Sequence, residues 1–289
     1  LKVMGILGII LGAAAFGEGD WSSLWRAEAA VDRSADDNLF AAFGTSLIFV
    51  MFCYSGWNAA AYLAEEIENP QRNLPLALLG GTAFVMVLYL ALNFVYFYGA
   101  PVEELAGHIE VGLISARGLF GDSGVTMTAL VLLVSLLASA SAMTVAGPRV
   151  YYAAGKDIKS LSFLTVHRDG ELVPTAALIT QGTVTTLIIL AGTVDQIQQY
   201  AGFTLTLFAS LAVASVFVLR KRRPEMPRPF RVWAYPFPPL LFLGVSLWMM
   251  YWAFQGRPVE SSLGFVTVLV GGLLHRFMVR GQDTDRVSA

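Results

Sequence analysis

Runs of about 20 consecutive apolar residues constrain this chain more than anything else in it, because a helix needs that length to cross a hydrocarbon core about 30 Å thick. Eight such runs are present, at 1–17, 43–64, 75–99, 124–147, 174–193, 197–219, 236–254 and 261–279. The residues between them carry too little charge to cover a water-soluble surface: 14% of the 289 residues are Asp, Glu, Lys or Arg, against roughly 25% in ordinary soluble domains. Disorder is excluded by the apolar content, and a disulfide scaffold by the single cysteine, Cys53. A net charge of -2 argues against nucleic-acid binding. What remains is an all-α integral membrane protein, with one transmembrane domain over 1–289. The first run is short and begins at Leu1, without an initiator Met or the basic start of a signal peptide. The expectation is a fragment of a larger chain.

Charge sets the expected orientation. Eight spans produce two alternating sets of connections. The set made of the start, 65–74, 148–173, 220–235 and the tail holds 15 of the 19 Lys and Arg; the other set holds Arg26, Arg33, Arg117 and Arg257. By the positive-inside rule the first set is cytoplasmic, and the C-terminus with it. The outer segment 18–42 is acidic, with Trp21 and Trp25 suited to the interfacial belt. A short helix fits within 100–123.

Most runs are plain Leu/Val/Ala helices, but 43–64 is not. It carries Phe52-Cys53-Tyr54-Ser55-Gly56-Trp57-Asn58 near its middle and continues into Glu65-Glu66. Gly costs about 1 kcal/mol against Ala in a helix interior, and Ser-Gly positions are common kinks. A break at that depth is tolerated only where the freed backbone is buried in protein or lines a cavity. Broken helices at the midplane are how secondary transporters bind zwitterions: one half-helix end offers carbonyls, the other N–H groups. Close helix packing at a small residue is the other reading of Gly56. Asn69-Pro70 ends the run, and Pro75 suits the first turn of the next helix.

The stretch from Phe52 through Tyr54, Gly56-Trp57, Glu65-Glu66-Ile67, Asn69-Pro70 and Arg72-Asn73-Leu74-Pro75 resembles the sixth helix and following loop of the amino acid–polyamine–organocation permeases. It is most similar to bacterial amino-acid permeases and L-type amino-acid transporters. Gly147-Pro148-Arg149-Val150-Tyr151-Tyr152, then Val166-His167 with Pro174, then Arg220-Lys221-Arg222-Arg223-Pro224-Glu225 resemble, in order, the family's eighth, ninth and tenth helix boundaries. The resemblance covers essentially the whole chain. It implies a LeuT-like fold of five-plus-five inverted repeats, of which this chain would hold the C-terminal two-thirds, its eight transmembrane helices being the family's helices five to twelve. It implies a secondary active transporter that moves amino acids across the cell membrane by alternating access, proton-coupled or exchanging, with no cofactor, metal site or nucleic-acid partner.

The same resemblance assigns residues. Phe52 falls at the family's gating aromatic, its carbonyl facing the substrate ammonium; Cys53, Ser55, Gly56 and Trp57 line the break, and Asn58 follows. Thr206, with Thr204 beside it, would face the pocket from the tenth helix, although Thr commonly bonds its own helix. Lys2 would occupy the place sodium fills in sodium-coupled relatives, with Ser139 and Ser141 nearby as hydroxyl partners. In the residues alone, Lys2 also reads as a snorkelling anchor, and Ser139 and Ser141 as part of a small-residue packing stripe. A lysine at membrane depth costs about 2.5–3.5 kcal/mol on insertion scales, which marks it as functional by default. Burial disfavours a charged ammonium in general, which makes such a group a candidate for proton exchange. No acidic group stands beside Ser55 and Asn58 to select a basic side chain, so neutral or broad amino-acid substrates are expected. The stretch 154–159 departs from the family pattern. A membrane-embedded enzyme would need converging acid/base residues near one membrane face, and the only dense acids are in the solvated loops and at Glu65-Glu66. A polytopic scaffold or receptor-like protein without transport is the remaining alternative.

Overall fold

A computed structural model describes residues 2–24, 38–57, 60, 67–166, 174–228 and 230–287. Among them there are no strands. The helices are α1 (Lys2–Phe16), α2 (Leu39–Cys53), α3 (Pro70–Gly99), α4 (Val102–Leu105), α5 (Val111–Asp157), α6 (Thr175–Ala191), α7 (Val194–Arg222), α8 (Phe237–Gly256) and α9 (Pro258–Val287), with 3₁₀ turns at Trp21–Leu24 and Lys159–Thr165. Five are long and apolar enough to cross a membrane: α3, α5, α7, α8, and α9 over Pro258–Met278. α1, α2 and α6 are apolar but shorter, at 15, 15 and 17 residues. Large apolar side chains face outward, as with Leu136 at 68% and Leu190 at 78% exposure, a surface that water would not tolerate and lipid does.

The helix boundaries follow local chemistry. Asn38 caps α2 by accepting from the N–H groups of Phe40 and Ala41. Thr193 and Gln196 form a reciprocal capping box at the start of α7. α3 starts five residues before the expected Pro75: Pro70 takes the first helical position, and Asn69, at φ 49°, makes the turn into it. Pro75 then lies inside the helix. α5 begins earlier than expected, at Val111, and is interrupted at Gly121 (φ 65°, ψ -159°), a conformation open essentially only to glycine.

The chain divides into two compact units, residues 1–36 with 76–144, and 37–75 with 145–289. In the first, Ala13, Val95 and Leu119 form the core, with Ile9, Ile10, Tyr98 and Phe120 around them. The end of α1 is tied to its neighbours through backbone: Glu18 N–H donates to Leu119 O and Asp20 N–H to Tyr98 O. A Cβ at Gly118 would lie 1.9 Å from Gly99 O, so α3 and α5 meet there backbone to backbone.

In the second unit, Ile48, Phe203, Met249, Met250 and Ala253 make the core shared by α2, α7 and α8. Glycines let these helices close: a Cβ at Gly202 would lie 2.7 Å from Ile48 Cγ2, and one at Gly44 2.9 Å from Trp252 Cβ. The Thr and Ser hydroxyls of α7 stay on their own helix, Thr204 donating to Tyr200 O, Thr206 to Gly202 O and Ser210 to Thr206 O, while Tyr200 OH donates to Thr267 Oγ1 on α9. Arg257, just after α8, pairs with Asp195 in the first turn of α7 at 2.9 Å.

Candidate functional site

The apolar run 43–64 does not continue as one α-helix. α2 closes at Cys53, and residues 54–56 turn. Tyr54 N–H donates to Val50 O at 3.2 Å. Ser55 then reaches back twice to one carbonyl, from N at 3.1 Å and from Oγ at 2.7 Å, both to Phe52 O. Gly56 is exposed, and a Cβ there would meet nothing within 4 Å among the described residues. Phe52 is half-buried, Cys53 is exposed, and Trp57, helical again, is 41% exposed. The break therefore places the negative end of the α2 dipole, a hydroxyl and two aromatic rings at one point of an apolar segment. Asn58, Glu65, Glu66 and His167 lie outside the described residues.

The carbonyl expected to face a substrate ammonium is thus already engaged by Ser55. Thr206, expected in the pocket, is 1% exposed, and its hydroxyl bonds Gly202 O at 2.8 Å. Its position is on the buried stripe of α7 that includes Gln199, Gly202, Phe203 and Ser210.

In the other unit, Lys2 Nζ donates to Ser139 Oγ at 2.6 Å, joining residues 137 apart in sequence. Lys2 is exposed and Ser139 half-buried. One turn on, α1 presses against α5 so closely that a Cβ at Gly5 would lie 2.7 Å from Val131 Cγ1. Gly5, Gly8, Phe120, Gly124 and Thr128 border a cleft of about 450 Å³ there. Ser141, two residues past Ser139 and so about 200° further round the helix, is exposed. The structure brings Lys2 and Ser139 together and leaves Ser141 on another face.

Sequence reading missed Gln199. It is fully buried, and neither its Oε1 nor its Nε2 has a hydrogen-bond partner among the described residues. Its one signal is an amide on a helical stripe of small and apolar residues and hydroxyls. Among the described residues no three His, Cys, Asp or Glu side chains are grouped as metal ligands.

A family model described as "Amino acid permease" matches residues 1–274. The chain is 30% identical over 232 residues to the mouse b(0,+)-type amino acid transporter 1, a match covering 79% of this chain and 46% of that protein. It is 29% identical over 238 residues to the human cystine/glutamate transporter, covering 82% and 47%. It is 28% identical over 235 residues to the serine/threonine exchanger SteT of Bacillus subtilis (strain 168), covering 78% and 53%. The chain spans about half the length of these relatives. All three are named for transport or exchange, not for enzymatic activity.

Proposed function

The chain belongs to the amino acid permease family, and on that premise we propose that it is the substrate-binding and coupling portion of a secondary active amino-acid transporter in the cell membrane. The observation that carries the reading is the break in α2. It supplies polar backbone, the Ser55 hydroxyl and the Phe52 and Trp57 rings where an uninterrupted apolar helix would supply none. Phe52, Cys53, Ser55, Gly56, Trp57 and Asn58 form this chain's share of the substrate site, with Thr206 backing α2 from α7. The carboxylate and ammonium of an amino acid suit opposite half-helix ends. Alternating access about a LeuT-like five-plus-five repeat, with the eight apolar runs as helices five to twelve and a cytoplasmic C-terminus, is part of the same proposal.

Lys2 and Ser139 are the coupling pair: the hydrogen bond between them supports a role in which the ammonium is held by, and released from, α5 during the cycle. Neutral or broad substrates fit the lack of an acid at the break. The relatives' names favour exchange, since SteT is a serine/threonine exchanger.

The test is uptake of labelled serine, threonine, cystine and leucine by the full-length protein in proteoliposomes. Internal amino acid and an imposed pH gradient are varied separately. Stimulation by internal amino acid supports an exchanger, and stimulation by the gradient alone supports proton coupling. Absence of uptake under both, from protein shown to be folded, would favour the scaffold reading.

A further inference from the structure

We propose that the segment joining α7 to α8 is a docking site for anionic phospholipid headgroups. α7 ends in Arg220-Lys221-Arg222, followed by Arg223, Arg228 and Arg231; Glu225 is the only acid between Arg220 and Phe237. Two of these six cations fold the segment. The Arg228 guanidinium donates to the carbonyls of Arg223, Pro224 and Met226 at 2.8–2.9 Å, which closes the chain into a tight loop. The Arg220 guanidinium lies 3.6 Å from the centre of the Tyr235 ring, and Phe217 stands 5.6 Å from the same ring. The far end of the segment is thereby held against the last turns of α7.

The other four cations, Lys221, Arg222, Arg223 and Arg231, are exposed, and none has an acidic partner among the described residues. Beside them stand bare aromatic rings: Trp233 is 88% exposed, Phe237 65% and Phe230 56%. Cations at the end of α7 complement its dipole, but that role requires no exposed rings. Rings and cations together are the composition of a segment seated at the membrane–water boundary, where indole lies at headgroup level. Cations in that position draw anionic lipid, and guanidinium groups match the phosphate oxygens in a two-point geometry. Because Arg228 and Arg220 already hold the loop, little ordering cost is left for the lipid to offset. The site is independent of the transport reading.

The experiment uses the full-length protein in vesicles of phosphatidylcholine, with brominated phosphatidylcholine or brominated phosphatidylglycerol as quencher. Quenching of Trp233 is read as the difference from Trp233→Phe. At about fivefold enrichment per basic residue near a charged surface, the brominated anionic lipid should quench at a mole fraction at least about fivefold lower than its zwitterionic counterpart. Lys221→Gln/Arg222→Gln/Arg223→Gln/Arg231→Gln should abolish the preference, and the four single variants should each weaken it. Rising salt should erode it in the unaltered protein. Equal quenching by the two lipids, a preference that survives in the quadruple variant, or displacement of the lipid by inorganic phosphate beyond that caused by chloride at the same ionic strength would each overturn the proposal.

Discussion

Replacing Ser55 with alanine probes the break in α2 at its most informative atom. Phe52 O accepts two hydrogen bonds from Ser55, at 3.1 Å from N and 2.7 Å from Oγ. A backbone carbonyl has two lone pairs, so both are committed. A substrate ammonium that uses this carbonyl must displace one donor, and the hydroxyl is the one that a substitution can remove. The net value of such a bond is about 0.5–1.5 kcal/mol. Ser55→Ala should therefore raise apparent substrate affinity by about 2- to 12-fold, at tenfold per 1.4 kcal/mol. Ser55→Thr keeps the hydroxyl and should stay near the unaltered protein. Equilibrium binding of labelled substrate to purified full-length protein, alongside KM and kcat from proteoliposome uptake, separates affinity from turnover. Unchanged affinity in a Ser55→Ala protein of normal Tm would mean that substrate and Ser55 do not compete for Phe52 O. A marked loss of affinity would mean that the hydroxyl itself holds the substrate. Either result refutes competition between Ser55 and substrate for Phe52 O; the second keeps Ser55 in the site as a direct ligand.

Lys2→Ala should slow uptake, and a double-mutant cycle with Ser139→Ala should give a coupling of up to about 1 kcal/mol, the upper end for an exposed charged contact; uptake unchanged in Lys2→Ala would dismiss Lys2 as the coupling group. Gly202→Ala places a Cβ 2.7 Å from Ile48 Cγ2 and 3.2 Å from Ile48 O, so thermal unfolding should reveal a loss of about 1–3 kcal/mol. Adding Ile48→Ala should recover part of the close contact as extra room. Gly121→Ala forces a side chain into φ 65°, ψ -159° and should cost about 1–3 kcal/mol, again read from Tm, although the site itself has open space around it.

The apolar runs were legible because membrane thickness dictates their length; five fall on helices long and apolar enough to cross a membrane, and 1–17, 43–64 and 174–193 overlap shorter apolar helices. Their ends were less so. Asn69-Pro70 and Pro75 each permit a helix start, and only the left-handed turn at Asn69 decides for Pro70. α5 runs on through the buried Pro148 to Asp157, a continuation that local propensity argues against. The break near Ser55-Gly56 was readable as poor helix chemistry. Which carbonyl the turn would occupy was not, since that depends on the Ser55 rotamer. Lys2 and Ser139 came together only through resemblance: nothing local in residues 137 apart announces a contact. Thr206 likewise came from the resemblance, and the side of α7 that it faces lay with the packing of Gly202 on Ile48.

The self-contained hydroxyls of α7 have a mechanical consequence. Thr204, Thr206 and Ser210 carry their acceptors with them, because each bonds the preceding turn of the same helix. If α2 rolls or slides on α7, none of these bonds has to break; the apolar packing of Ile48 in the notch at Gly202 and of the side chains around it must be remade, and dispersion forces are forgiving of direction. The contact works as a greased bearing with one shallow detent. Engineering a hydrogen bond across it would act as a brake, stiffening the second unit while leaving each helix as stable as before.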